Sequence, residues 1–451
     1  MKQLLHTPEG VRDIYNSEYE RKLAVEGRLR EVLRSYGYSE LQTPSFEFFD
    51  IFNKERGSVA SREMYKFFDR EGNTLVLRPD MTPPVARCAA KYYMEETLPI
   101  RLSYLANTFI NHSSYQGRLK ESTVQGAEFI GDASSDADGE MIALSVNALL
   151  AAGLTDFQVD VGQVEFFNGL VEEAGLLPET EARLRELIEE KNFFGVEELV
   201  SGQKLDGRIS EVFRRLPELF GSADLLRTAA GLAVNARMEA AVERLENLWR
   251  ILKLYGLSDY VSFDLGMLGK YRYYTGIIFR GVTFGMGEPI LSGGRYDGLM
   301  RQFGKEAPAV GFSISVDGLL AALSRQGISV EVPEPAFLFV YDRERQETAI
   351  PLAAGWRREG RKLQLVRRMD RISLEEYKRF GERNRMDVLY YLSGDGFFVW
   401  GKDAPEAVRT ELPGTGPSGG DGTESAEAES GEAELGEEPD GNGSEREEDA
   451  R

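Results

Sequence analysis

The chain has 451 residues, a formal net charge of −21 from 54 Lys and Arg against 75 Asp and Glu, and 42% hydrophobic residues; at roughly 100 to 200 residues per domain this allows two or three domains. One cysteine, Cys88, and two histidines, His6 and His112, exclude an internal disulfide framework and multi-cysteine zinc sites, and leave little for histidine-based metal binding or triads. No run approaches the ~20 apolar residues of a membrane span, and residues 1–12 carry no signal-peptide pattern, so a cytoplasmic protein is expected.

Residues 7–14 read as a loop, followed by Ser17 as helix cap, an apolar stripe at Val25, Leu29, Val32, Leu33 and Tyr36, and Gly37 to end the helix. After Pro44 and an aromatic stretch at 46–52, residues 66–69, 70–73 and 74–77 predict a hairpin. Alternating or β-branched segments predict strands at 101–107, 123–129, 156–161, 276–280 and 311–315. Between about 163 and 260 the period is helical, clearest at Met238, Ala241, Val242, Leu245, Leu248, Trp249 and Leu252, which predicts a helical insertion between two groups of strands. Pro333 and Pro335 punctuate the chain before a small α/β unit over 336–401. Residues 402–451 form the expected tail. Within it, 411–451 hold 14 acidic and two basic residues with two large aliphatics, Leu412 and Leu435, a composition that predicts disorder. That segment supplies −12 of the net charge, so bulk acidity says little about the rest.

Signatures for phosphate loops, dinucleotide folds and zinc hydrolases are absent from the sequence. Instead, five segments occur in a telling order: Thr7 to Ile14; Leu77-Arg78-Pro79-Asp80-Met81-Thr82; Gly117-Arg118 through Gln125-Gly126-Ala127-Glu128-Phe129-Ile130-Gly131; Tyr273-Tyr274-Thr275-Gly276; and Ser292-Gly293-Gly294-Arg295-Tyr296-Asp297-Gly298-Leu299. Together they resemble the catalytic core of histidyl-tRNA synthetase over about residues 1–325. The resemblance implies an α+β fold, a class II synthetase-like antiparallel sheet flanked by helices. It places Pro44 in the dimer-interface motif. It also implies a histidine pocket, with Asp80 and Thr82 on the α-amino group, Glu128, Tyr274 and Tyr296 about the ring, and Tyr273 among the binding residues. A buried carboxylate such as Glu128 needs a partner, and a histidine ligand needs acceptors of this kind. The same tyrosines also suit ordinary core packing, and Asp80 a cap on the following helix.

Three positions depart from the synthetase pattern. Ile110, Gly269 and Gly318 stand where the resemblance calls for arginines that position phosphates or the histidine carboxylate. Arg272 is the nearest alternative cation. Val124 stands where the pocket glutamine is expected, with Gln125 one residue away on the opposite strand face. A synthetase-like core without its ATP arginines resembles the ATP phosphoribosyltransferase regulatory subunit family. This implies no catalytic residue, no cofactor and no metal. It implies a short-form catalytic subunit as partner in a larger hetero-oligomer, a dimer within it, free histidine as ligand, and neither tRNA nor membrane. The competing readings are a divergent histidyl-tRNA synthetase and a stand-alone histidine-sensing or RNA-binding module.

Overall fold

The computed structural model describes residues 5–52, 59–112, 118–269, 273–332, 336–386, 388–401 and 404–412. The acidic tail from residue 413 onward, Arg272, and Pro333 with Pro335 lie outside these residues. The chain forms two compact units, Met1–Glu334 and Pro335–Arg451.

The larger unit is built on a nine-stranded sheet. Its order is Ser39–Glu40, Ile100–Phe109, Glu121–Ile130, Ala309–Ser315, Leu291–Arg295, Ile277–Thr283, Phe157–Gln163, Val261–Asp264, Phe220–Gly221. All neighbours are antiparallel except the pairs Ser39–Glu40 with Ile100–Phe109 and Phe157–Gln163 with Val261–Asp264. One face is covered by Asn16–Ser35, Ser135–Ala151 and Val316–Arg325, whose apolar sides share a core with Ala127, Phe129, Val161, Phe279, Phe312 and Ile314. The opposite face carries a second, smaller cluster with Leu102, Tyr104, Ile130, Tyr296 and helix Thr82–Tyr92. The hairpin becomes Lys66–Phe68 and Thr74–Leu77, with Phe46–Phe48 on the other side of Thr74–Leu77.

Several boundaries move. The first helix starts at Asn16, not after Ser17, and Tyr15 occupies the cap position without a side-chain bond. Asn16 takes a left-handed φ of 51° as the chain enters the helix, two residues earlier than expected. The insertion holds six helices from Val164–Ala174 to Ala236–Leu254, but it also contributes the short strand Phe220–Gly221 to the sheet edge. Its last helix crosses Ser135–Ala151 closely enough that a Cβ on Gly139 would lie 2.5 Å from Ile251 Cγ2.

In the smaller unit, Leu363–Arg367, Phe337–Tyr341 and Val388–Ser393 are parallel, and Gly396–Gly401 and Ala404–Thr410 continue antiparallel. Alternation along Phe337–Tyr341 feeds two cores: Phe339 packs with Trp356 and Phe397, while Leu338 and Val340 pack with Tyr377 and Leu389. Ala404–Thr410 corrects the expected boundary at 401. Its charged and proline-containing sequence hides an edge strand that needs only one partner for its backbone. Among the described residues no helix is long and apolar enough to cross a membrane, and no group of three or more His, Cys, Asp or Glu is placed to hold a metal ion.

Gly139→Val should cost about 1 to 3 kcal/mol through overpacking against Ile251. Thermal unfolding of that variant, and partial recovery in a Gly139→Val/Ile251→Ala double variant, check whether the helix contact is this close.

Candidate functional site

Period-2 alternation in Glu121–Ile130 turns Ala127 and Phe129 toward the helical core, and Val124 and Ile130 toward the opposite face. Glu128 shares that second face. It is fully buried, and register brings Gly311 of Ala309–Ser315 directly opposite it. A Cβ at Gly311 would lie 1.5 Å from Glu128 Oε2, so only glycine leaves room for the carboxyl. Two hydroxyls reach it: Thr82 Oγ1 donates to Oε1 at 2.9 Å, and Tyr296 OH donates to Oε2 at 2.5 Å. Those hydrogen bonds favour the charged form, but burial outweighs them and pushes the carboxyl up to about 8, with the charge of Asp80 adding in the same direction. Tyr104 and Tyr296 are driven well above the usual phenol range, first by burial and then by the Glu128 charge.

Around this group opens a cavity of about 310 Å³, lined by Asp80, Thr82, Tyr273, Tyr274 and Tyr296 among others. All the residues expected about a ligand therefore converge, with Glu128 just behind the wall. Asp80 Oδ1 accepts from the amides of Met81 (2.6 Å) and Thr82 (3.2 Å), so one oxygen organises the start of helix Thr82–Tyr92. Tyr273 packs against Tyr274 (ring centroids 4.8 Å apart) and edge-on to Tyr296 (6.2 Å). Both neighbouring strands pair through Val124 and Gln125 without a bulge, and Val124 lines the cavity. Gln125 is buried, and its amide oxygen has no hydrogen-bond partner among the described residues.

The preceding segment is held by Arg78, which is buried and donates to the carbonyls of Thr43 (2.7 Å), Pro44 (3.0 Å) and Asn107 (2.9 Å). Reading the sequence missed this clamp, as it missed Gly311 and Tyr104. Gly311 could have been found, because a glycine inside a strand pattern signals a close approach.

Beside the cavity, and sharing Ile110, Tyr274, Ser292 and Gly293 with it, lies a cleft of about 1080 Å³. Gly269 lines it, and Gly318 lies elsewhere, in the first turn of Val316–Arg325, donating its amide to Ser315 Oγ at 3.0 Å. Among the described residues three arginines line the cleft: Arg118 pairs with Glu288, Arg280 lies 3.8 Å from Asp160 and 3.7 Å from Asp264, and Arg62 is exposed at its wall. His112 is held below its usual range by burial and then by Arg118.

A histidyl-tRNA synthetase family model matches residues 10–319. An ATP phosphoribosyltransferase regulatory subunit of Acetivibrio thermocellus is 44% identical over 356 residues, 79% of this chain and 85% of that protein. One of Ruminiclostridium cellulolyticum is 42% identical over 360 residues, 80% and 86% of the two chains. Among solved structures, a protein of Bacillus halodurans described as an ATP phosphoribosyltransferase regulatory subunit/histidyl-tRNA synthetase superposes with a TM-score of 0.77 at 31% identity, covering 86% of this chain and 98% of that one. Histidyl-tRNA synthetase of Nostoc shares the fold, with a TM-score of 0.75 at 19% identity over 90% of this chain and 97% of that one.

Because Glu128 binds its proton more tightly folded than unfolded, its contribution to stability is complete below about pH 4.5 and is lost as pH rises toward 8. Glu128→Gln should remove that decline, so that urea unfolding shows it gaining on the parent by a few kcal/mol between pH 5 and 8, at ~1.4 kcal/mol for each tenfold difference in proton affinity between the folded and unfolded chain. Gly311→Ala should prevent the native packing altogether, read as loss of cooperative unfolding.

Proposed function

Since the chain belongs to the ATP phosphoribosyltransferase regulatory subunit family, on a histidyl-tRNA synthetase fold, we propose that it is a non-catalytic cytoplasmic subunit. It would support a separate short-form catalytic subunit in the first step of histidine biosynthesis, and convey feedback from free histidine. The observation that carries this reading is the contrast between the two neighbouring spaces. The cavity keeps carboxyl, hydroxyl and aromatic groups suited to a small cationic aromatic ligand. The cleft beside it has Ile110 and Gly269 in its walls where the synthetase pattern calls for arginines, while its own arginines, Arg62, Arg118 and Arg280, stand at other positions, the last two near carboxylates. Transfer to or from a triphosphate needs guanidinium groups aimed at the phosphates, and neither Ile110 nor Gly269 can supply one.

In the cavity, Asp80 and Thr82 would take the α-amino group of histidine, with Glu128, Tyr274 and Tyr296 about the imidazole and Tyr273 packing beside them. Glu128 near neutrality is held largely as the acid, so a cationic ligand that reaches it would displace a proton. Self-association would use the face near Pro44, where Phe46, Phe48, Phe67 and Phe68 are all exposed. No tRNA is expected to bind.

Mixing the purified chain with a short-form ATP phosphoribosyltransferase should raise that enzyme's activity, and histidine should lower it again through a coupling of ~1 to 3 kcal/mol. Glu128→Gln should weaken the histidine response about tenfold or more while activation persists. Histidine-dependent exchange between ATP and pyrophosphate by the purified chain alone would refute the non-catalytic assignment.

A further inference from the structure

Behind the cavity sits a charged group that ligand binding does not use. Asp138, in the first turn of Ser135–Ala151, is completely buried. Its two oxygens are divided between two arginines from different parts of the fold. Oδ1 accepts from Arg295 Nε at 2.8 Å, and Oδ2 accepts from Arg244 Nε at 2.7 Å. Burial raises the Asp138 carboxyl, and the two guanidinium charges, Arg295 foremost, oppose this. Removing either partner would therefore leave a poorly compensated buried charge.

The two arginines have different neighbours. Arg295 ends the strand Leu291–Arg295 and immediately precedes Tyr296. It is buried, and it also donates to Asp132 O (2.9 Å) and Asp297 Oδ1 (3.1 Å). Its own carbonyl accepts from Thr275 N at 2.8 Å, and Tyr296 N donates to Ala309 O at 2.7 Å. Arg295 thus fixes the segment that carries the Tyr296 hydroxyl to Glu128. Arg244 belongs to Ala236–Leu254, the last helix of the insertion, and also donates to Ala133 O at 2.9 Å. The close crossing at Gly139 and Ile251 holds that helix against Ser135–Ala151 beside Asp138.

We propose that Asp138 is a positioning residue that couples the helical insertion to the ligand cavity, with Arg244 on one oxygen and Arg295, and through it Tyr296, on the other. A shift of the insertion is passed through Asp138 to the hydroxyl that Glu128 receives. The proposal goes beyond the regulatory reading and is testable without ligand.

The test uses the full chain and reads Glu128 itself. The unfolding free energy of each protein, minus that of its Glu128→Gln partner, is followed from pH 5 to 9.5, which isolates the Glu128 titration from the other groups. In the parent the decline levels off near 8, the folded-state titration midpoint of Glu128, and Asp80, Tyr38, Tyr104 and Tyr296 are charged or titratable groups coupled to it. Arg244→Met leaves Asp138 paired with Arg295 and touches no cavity residue. It should raise the midpoint by about half a pH unit or more, a threefold or greater gain in proton affinity, because the Tyr296 hydrogen bond that favours the charged form is loosened. Arg244→Lys should restore most of the change. A merely structural Arg244 would lower stability equally at every pH, and an unchanged midpoint overturns the proposal. Asp138→Asn gives a second reading by sign: removing a negative charge alone would lower the midpoint, whereas loss of positioning raises it. Histidine titration of the parent is run in parallel. Absence of binding there would sink the histidine reading and leave the midpoint comparison intact.

Discussion

Burying the Glu128 carboxyl between two strands imposes a series of requirements on the larger unit. The opposing strand must present a glycine, since any side chain at 311 would occupy the carboxyl's volume. Two hydroxyls must arrive from distant parts of the chain, Thr82 from a helix start and Tyr296 from the turn after a strand. Each arrival needs support of its own. Asp80 organises the Thr82 turn, Arg78 anchors the segment before it by three carbonyls, and Arg295 holds Tyr296. A polar group in a sheet interior is costly unless fully partnered, so these supports are what allow an acidic residue there at all.

The two neighbouring spaces differ in what lines them, and the proposed non-catalytic reading rests on that difference. Under that reading, holding an amino acid would fall to groups fixed by the sheet register, Glu128 and the residues that line the cavity beside it. Activating it depends on cations delivered to phosphates from a second set of positions. Ile110 and Gly318, whose side chains are aliphatic or absent, are proposed to stand at two such positions, and the cleft's own arginines, Arg62, Arg118 and Arg280, stand elsewhere.

Much of this was legible in the sequence, for identifiable reasons. The long strands Ile100–Phe109 and Glu121–Ile130 and the helix Ala236–Leu254 carry strong periodicity, and they appear within a few residues of expectation. Leu291–Arg295 was not predicted because Gly293 and Gly294 erase its alternation; they are needed for close approach to Phe279 and Tyr274. Val261–Asp264 is a four-residue strand next to a helical region, too short for a period to show. Asp80, Thr82, Glu128, Tyr273, Tyr274 and Tyr296 could be grouped through ordered motifs. Gly311 left a signal in the strand pattern, but Tyr104 and Arg78 could not be found, because their roles depend on which segments lie together, and that contact spans 208 residues in the case of Tyr104 and Phe312.

The smaller unit ends its sheet in two different ways. At one side Leu363–Arg367 has a single neighbour among the described residues, and its outer edge is bordered by exposed Arg361, Lys362, Arg367 and Arg371. At the other, Ala404–Thr410 contains Pro405, which has no amide hydrogen to offer a further strand. An open edge is otherwise a template on which identical sheets stack, so mutual repulsion at one border and a missing donor at the other keep copies of this unit from polymerising edge to edge. Another chain meeting this unit would then do so more readily through side chains than by extending its backbone ladder.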